Sequence, residues 1–189
     1  MAIDTKTALL DSAERAARTL GFDGFSYADL AEDVGIRKAS IHHHFPSKAN
    51  LSVALMQRYL AKFEAVRAEF DANPRTGGAH LDAIIGNYRA GINGGKSLCL
   101  CVTFTTSRDS LPPEVADLIR RFRIMMMDWL EAAFRTGQGD GSITGVLDPA
   151  IEAAATLPLL EGAQLAARTQ EDPVLFDKAM QLLKQRIKN

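Results

Sequence analysis

The sequence predicts an all-α protein in two parts, an N-terminal three-helix module carrying a helix-turn-helix over residues 1–50 and a larger helical domain over residues 51–189. Apolar residues recur at three- and four-residue steps through most of the chain, which is the period of amphipathic helices. Asp148-Pro149 and Asp172-Pro173 each pair a capping carboxylate with proline at the first helical position. The stretch from Phe25 to Lys48, FSYADLAEDVGIRKASIHHHFPSK, has the spacing of two short helices crossing at a tight turn.

Leu9, Leu10, Ala13, Ala16, Ala17 and Leu20 form one stripe of a first helix over residues 5–20, and Gly21 ends it. Phe22 and Phe25 then sit where they can close a three-helix core over Leu30 and Ile41. Ser26 is placed to cap a helix over residues 27–33, with Asp29 in the first turn where the helix dipole favours a negative charge. Leu30 and Val34 share a face, Ala31 is small enough for a second helix to cross closely, and Gly35 can take positive φ in the turn. A second helix over residues 37–45, stepped at ~100° per residue, puts Ile41, His44 and Phe45 inside. Ala39 and His43 then point outward, flanked by Ser40 and His42. Arg37 and Lys38 occupy the first turn, the end of a recognition helix that meets base edges and phosphates.

Charge supports a DNA-facing surface there. Between Asp33 and Glu64 no acidic residue occurs, while Arg37, Lys38, Lys48, Arg58 and Lys62 are basic. Such a stripe matches a duplex carrying one negative charge per ~1.7 Å of axis. The first fifty residues nonetheless hold six basic and seven acidic residues, and the whole chain has a formal net charge of −1. A general nucleic-acid coat is therefore excluded, and any DNA site must come from local arrangement.

The sequence F-S-Y-x-x-L-A-x-x-V-G-I followed by S-I-H-H-H-F-P-S-K-x-x-L resembles the TetR family of bacterial transcriptional repressors over about the first sixty residues. The resemblance implies phosphate contacts from Ser26, Ser40, His42 and Lys48, and base contacts from Arg37, Lys38, Ala39 and His43. His44 joins this DNA-binding set from the inner edge of the helix. The main departure is His42, where the family more often has tyrosine. A phosphate bond from His42 would carry some pH dependence, because imidazoles as a class titrate near pH ~6.5.

Beyond Phe45, Pro46 breaks the recognition helix and Ser47 can cap the next, over residues 48–72, which has Leu51, Leu55, Tyr59, Phe63, Val66 and Phe70 along one side. Its length makes it the natural lever to the C-terminal domain. Residues 73–78 read as a loop and residues 79–92 as a helix. The β-prone run L-C-L-C-V-T-F-T-T within residues 97–107 has no strand to pair with and reads as a buried helix. A helix over residues 114–135 follows Pro112-Pro113. Gly137-Gln138-Gly139-Asp140-Gly141 follows no strand, so it reads as a loop rather than a nucleotide-binding turn. The helix to about Arg168 is apolar nearly all round and needs burial on more than one face. The last helix, to about Ile187, carries one stripe of Leu175, Ala179, Leu182 and Arg186 beside another of Phe176, Met180, Leu183 and Ile187. One stripe suits the chain's own core and the other a second copy, so a homodimer through the last two helices is expected. The family resemblance implies the same, with a palindromic double-stranded DNA operator as partner and release of the repressor by a ligand.

The C-terminal domain is accordingly expected to bind an effector as well as to dimerise. Tyr88, Phe104, Met126 and Trp129 are its candidate lining, together with Cys99 and Cys101, the chain's two cysteines. Residues two apart on a helix face different ways, so these thiols do not readily bridge, and as small buried hydrophobes they have a plain structural reading. The segment S-L-C-L-C-V is similar to S-G-C-L-x-V in the family's reactive-electrophile sensors, which implies a sensing role for Cys99. His42, His43 and His44 diverge by ~100° each and cannot converge on one ion, so no metal and no cofactor is expected. A helical enzyme using Cys99 or Cys101 with His80 is the rival class, but no motif positions a carboxylate and the N-terminal module would be left without a purpose, so the chain is expected not to be an enzyme. A DNA binder controlled by a protein partner is the other alternative. Asp4 and Lys6 interrupt the amino terminus before any apolar run, and no apolar stretch approaches the ~18 residues that span a bilayer. A cytoplasmic protein with reduced thiols is expected.

Overall fold

The structure, a computed structural model, describes residues 4–73 and 75–188. Nine α-helices occur among them: α1 (Thr5–Leu20), α2 (Tyr27–Val34), α3 (Lys38–His44), α4 (Lys48–Ala72), α5 (Gly77–Gly91), α6 (Leu100–Thr106), α7 (Pro113–Asp140), α8 (Pro149–Gln170) and α9 (Pro173–Lys184). Among the described residues β pairing is confined to one isolated antiparallel bridge between Ile143 and Ile187. Among the described residues no helix is long and apolar enough to cross a membrane.

The backbone divides into two compact units, one of Met1–Lys62 with Leu100–Arg121, the other of Phe63–Cys99 with Phe122–Asn189. In the first, Leu9, Ala13, Leu30, Ile41, Leu51 and Leu55 are buried, and the Phe22 ring meets Phe25 and Phe104 edge-on at 5.9 and 5.1 Å. Phe22 and Phe25 thus close the three-helix core as their spacing predicted. α6 is a helix despite its β-prone residues, and three of its threonines bond backwards along it. The hydroxyls of Thr103, Thr105 and Thr106 donate to the carbonyls of Leu100, Cys101 and Thr103.

Arg58 differs from its place in the basic stripe. Its guanidinium turns to α1, donating to Asp11 (2.6 Å), Glu14 (2.7 Å) and the carbonyl of Leu10 (2.9 Å). Two carboxylates already neutralise that charge, so it braces α4 against α1 instead of facing phosphate.

In the second unit α8 lies along α9, and α5 packs against both. Phe122, Trp129, Phe134 and Phe176 form the bulk of its core. Asp148 and Asp172 cap α8 and α9, accepting from the Ala150 and Val174 amides at 2.9 Å each. Three boundaries depart from expectation. α5 begins at Gly77, inside the stretch read as a loop, because Thr76 caps it there. α7 continues five residues past Arg135, through the glycine-rich segment read as a loop. The reason is close packing: a Cβ on Gly77 of α5 would lie 2.0 Å from the Gly137 amide nitrogen and 2.4 Å from the Ala133 carbonyl oxygen. Glycine at 77 lets α5 approach the α7 backbone, and glycine at 137 makes room for the Ile143 side chain, which an added Cβ would meet at 2.4 Å. Asp140 secures the α5–α7 approach by accepting from the Gly77 amide at 2.9 Å. α9, conversely, stops at Lys184, short of Ile187, because the following residues pair with the α7–α8 connection. There Arg186 clamps Glu152 with two bonds of 2.6 and 2.8 Å.

Replacing Gly77 by alanine is expected to destabilise the fold by about 3 kcal/mol, since backbone blocks the added methyl on every side. Gly86 of the same helix has no atom within 4 Å of such a methyl. Gly86→Ala should therefore raise stability by about 0.5–1 kcal/mol through helix propensity alone. Thermal unfolding of the two variants distinguishes these signs.

Candidate nucleic-acid interface

The recognition region begins with the cap of α2. The Ser26 hydroxyl accepts from the Ala28 amide at 3.2 Å and the Asp29 amide at 3.5 Å, and the Asp29 carboxylate accepts from the Ser26 amide at 2.7 Å. These reciprocal bonds, the Ser26 amide first among them, hold the Asp29 carboxyl below the usual carboxylate range. At the other end Gly35 takes φ 73° and ψ 35°, the left-handed conformation that turns the chain into α3. Asp33, beside that turn, accepts from the Ser12 hydroxyl at 2.5 Å and from Arg15 at 2.6 Å, which ties the last acidic group before the basic stripe to α1.

α3 is anchored by Ile41 and Phe45, both buried, and by Tyr27. The Tyr27 phenol donates to the Phe45 carbonyl at 2.9 Å, and burial pushes its pKa up to about 12. The His42 ring stands edge-on to Tyr27, 5.0 Å between centroids, with Nδ1 3.3 Å from the Pro46 carbonyl oxygen. The outward residues Arg37, Lys38, Ala39, His42 and His43 are exposed, while Ser40 and His44 are half-buried. The His43 and His44 rings lie 5.4 Å apart, edge to face.

Lys48 opens α4 but reaches back. Its ammonium donates to the Phe25 carbonyl at 2.5 Å and lies 4.7 and 4.2 Å from the centres of the Phe22 and Phe25 rings. Burial pushes its pKa down, while the nearby carboxylates of Asp23 and Asp29 favour its charge. Ser26, Lys38, His42 and Lys48 come together, with Ser47, Phe25 and Tyr27, around one open depression of about 430 Å³. Two ammonium groups, an imidazole and two hydroxyls converge there on a space that admits a phosphate. Sequence reasoning had reserved Ser47 for capping, and it does accept from the Asn50 amide at 3.2 Å. Its place in the depression follows from the tight Pro46 corner.

The candidate effector residues fall in both units. Tyr88, Cys99, Met126 and Trp129 belong to the second and Cys101 and Phe104 to the first. All six are buried. Cys99 is 2 % exposed, and its amide donates to the Gln164 side-chain oxygen at 2.9 Å. The Gln164 amide nitrogen in turn donates to the Tyr88 carbonyl at 3.0 Å, satisfying an acceptor in the last turn of α5. A buried glutamine among the alanines and leucines of α8 is the signal for this bridge, and its partners do not follow from the sequence. The Trp129 indole N–H is buried with no acceptor among the described residues. His80 packs its ring against Phe70 at 5.7 Å. Among the described residues no three His, Cys, Asp or Glu side chains are grouped to hold a metal ion.

Residues 9–55 match the family model of bacterial regulatory proteins, tetR family. The chain is 32 % identical to a transcriptional regulator of the TetR family from Agrobacterium tumefaciens whose structure is solved, over 98 % of this chain and 100 % of that one, with a TM-score of 0.83. A TetR transcriptional regulator from Legionella pneumophila is 26 % identical over 99 % of each chain, with a TM-score of 0.86. The HTH-type transcriptional repressor NemR of Escherichia coli is 25 % identical over 170 residues, 87 % of this chain and 84 % of that protein.

Tyr27→Phe removes one buried donor and strands the Phe45 carbonyl, which is expected to cost about 1–2 kcal/mol. A lower urea midpoint at unchanged slope is the expected reading. An unchanged midpoint would show that the phenol does not hold the end of α3.

Proposed function

The chain belongs to the TetR family of bacterial regulatory proteins and is a DNA-binding transcriptional regulator rather than an enzyme, and from that premise we propose that it works as a homodimeric, ligand-released repressor of a near-palindromic operator. The observation that carries the reading is the outward face of α3. Arg37, Lys38, Ala39 and His43 lie exposed along it and read bases, beside a depression in which Ser26, His42 and Lys48 receive a phosphate. Ser40 and His44, half-buried at the flanks of the helix, add phosphate or backbone contacts. Lys48 exchanges its bond to the Phe25 carbonyl for that phosphate, or shares itself between them. The protein acts in the cytoplasm, where operator and reduced thiols coexist.

A pair of recognition helices needs a twofold mate, and α8 and α9 supply a face for one. Ile151, Leu165, Val174 and Leu182 are 68, 47, 47 and 74 % exposed, and Ala154, Ala155, Gly162 and Ala166 lie exposed between them along α8. The inner stripe of Phe176, Met180 and Leu183 is buried in the chain's own core. An apolar face of that extent is costly in water, and a symmetric four-helix contact covers it.

Release comes from an effector in the second unit. The Trp129 indole N–H invites a hydrogen-bond acceptor, since leaving it unpaired costs about 1–3 kcal/mol. An organic ligand with a carbonyl answers that need. A quinone or unsaturated aldehyde can go further and react at Cys99: the sulfur lone pair forms the carbon–sulfur bond at the β-carbon as the carbon–carbon π bond breaks. The thiol proton ends on the α-carbon of the aldehyde, whose carbonyl is restored, or on an oxygen of the quinone, whose ring becomes a hydroquinone. Cys99 is buried, so the reaction requires residues 93–99 to open, and modification is expected to be slow. Either effector favours a dimer in which the two α3 helices no longer fit successive grooves, so effector and DNA weaken each other's binding by the same factor.

Leu165→Asp with Leu182→Asp is expected to give a folded monomer that loses operator binding by at least about a hundredfold. Sedimentation and a gel shift on the DNA flanking its own gene check this. A wild-type chain that sediments as a monomer at micromolar concentration, yet binds that DNA tightly, would refute the dimer. For the sensor, Cys99→Ser should abolish release by quinones and leave binding without them unchanged. Equal release from both proteins would remove Cys99 from the mechanism.

A further inference from the structure

His42 occupies the depression in a way that couples DNA binding to a proton. Its Nδ1 lies 3.3 Å from the carbonyl oxygen of Pro46, and a carbonyl oxygen can only accept, so Nδ1 carries hydrogen. A neutral imidazole has one N–H, and when Nδ1 holds it, Nε2 bears a lone pair. A lone pair turned to a phosphate oxygen repels it. Once Nε2 takes up a proton, the same ring becomes a second donor and a positive charge.

Groups from α2, α3 and α4 surround that ring. Tyr27 from α2 stands edge-on at 5.0 Å, with its hydroxyl committed to the Phe45 carbonyl. Lys38, one turn earlier on α3, and Lys48 from α4 line the same depression. The nearest carboxylates are those acting on Lys48: Asp29, bonded to Ser26, and Asp23. His43 and His44 follow on the helix, with rings paired to each other. A phosphate entering between Lys38 and Lys48 can accept from protonated His42 and from both ammonium groups.

We propose that the protein binds its operator together with one proton taken up at His42 Nε2, so that its affinity for DNA rises as pH falls through the imidazole range. This rests on the reading of α3 as the DNA-contacting helix. Acid then opposes release and alkali assists it, through the interface itself and independently of the effector. A tyrosine at the same position would donate from a neutral hydroxyl and need no proton.

Fluorescence anisotropy of the full-length protein on a labelled duplex of the DNA flanking its own gene, at fixed ionic strength, tests the linkage. Imidazoles as a class titrate near pH ~6.5. From pH 8 to pH 6 affinity for the duplex is therefore expected to rise about 5- to 20-fold, with the salt slope steepening by about 0.9 for the added charge. His42→Gln should flatten the pH profile at weak affinity. His42→Tyr should flatten it at an affinity above that of the wild type at pH 8. His43→Gln and His44→Gln should weaken binding at every pH and keep the profile. Tight binding with a flat wild-type profile would overturn the proton linkage alone, as would a profile that survives in His42→Gln. Failure to bind the duplex at any pH would overturn the DNA reading and the linkage with it.

Discussion

A helix of seven residues cannot hold itself together in water, because nucleation costs more than two turns of hydrogen bonds return. α3 therefore exists only as far as its neighbours impose it. Ile41 is fully buried, Phe45 nearly so, Gly35 adopts the left-handed turn that aims the helix, and the Tyr27 phenol fixes its last carbonyl. Every outward side chain inherits its direction from that anchoring. A change of a few degrees at Gly35 or Tyr27 would move Arg37 and Lys38 relative to a groove without touching either. That dependence is also what makes the helix controllable from a distance.

Charge is apportioned by the same packing. The basic stripe seen in the sequence divides into two uses: Arg58 is neutralised by Asp11 and Glu14 as a brace, while Arg37 and Lys38 stay exposed. Lys48 stands between these uses, half-buried against two aromatic rings and bonded to a carbonyl, at the edge of the depression. Asp23 and Asp29 carry the negative charges that act on Lys48, and Asp29 and Asp33 are each engaged by hydrogen bonds. A chain with a formal net charge of −1 can thus offer DNA a locally positive surface. In the second unit the comparable economy is Gln164, whose single amide joins the segment before α6 to the end of α5 from within α8.

Much of this was legible because short-range chemistry dictates it. The caps at Ser26, Asp148 and Asp172, the turn at Gly35 and the stripes of α1 and α4 are written in residue type and spacing, and the helices begin where those signals stand. The β-prone residues of α6 were read correctly because no partner strand was on offer. What was not legible depends on contacts distant in sequence. The glycines at 137–141 look like a loop until Gly77, sixty residues earlier, is seen packed on the backbone at 133–137, and Ile143 is seen to fill the space beside Gly137. Arg58 looks like a phosphate ligand until Asp11 and Glu14 are found across from it. Gln164 is one polar residue in an apolar helix, and neither of its partners can be named from its neighbours. Family likeness implies a phosphate-contacting set of Ser26, Ser40, His42 and Lys48, but the depression gathers Lys38 and Ser47 with Ser26, His42 and Lys48 and leaves Ser40 outside its lining, which is a property of the folded corner.

The central claim is that two copies of α3 present their outer residues to successive grooves on one side of a duplex. Hydroxyl-radical footprinting of the protein on its operator measures this at single-nucleotide resolution. The account expects two protected backbone segments on one face, with centres about one helical turn of 10–10.5 base pairs apart or a whole multiple of it. Both should fade together when Arg37 and Lys38 are replaced by alanine. A single protected segment, or a footprint indifferent to those replacements, would contradict it.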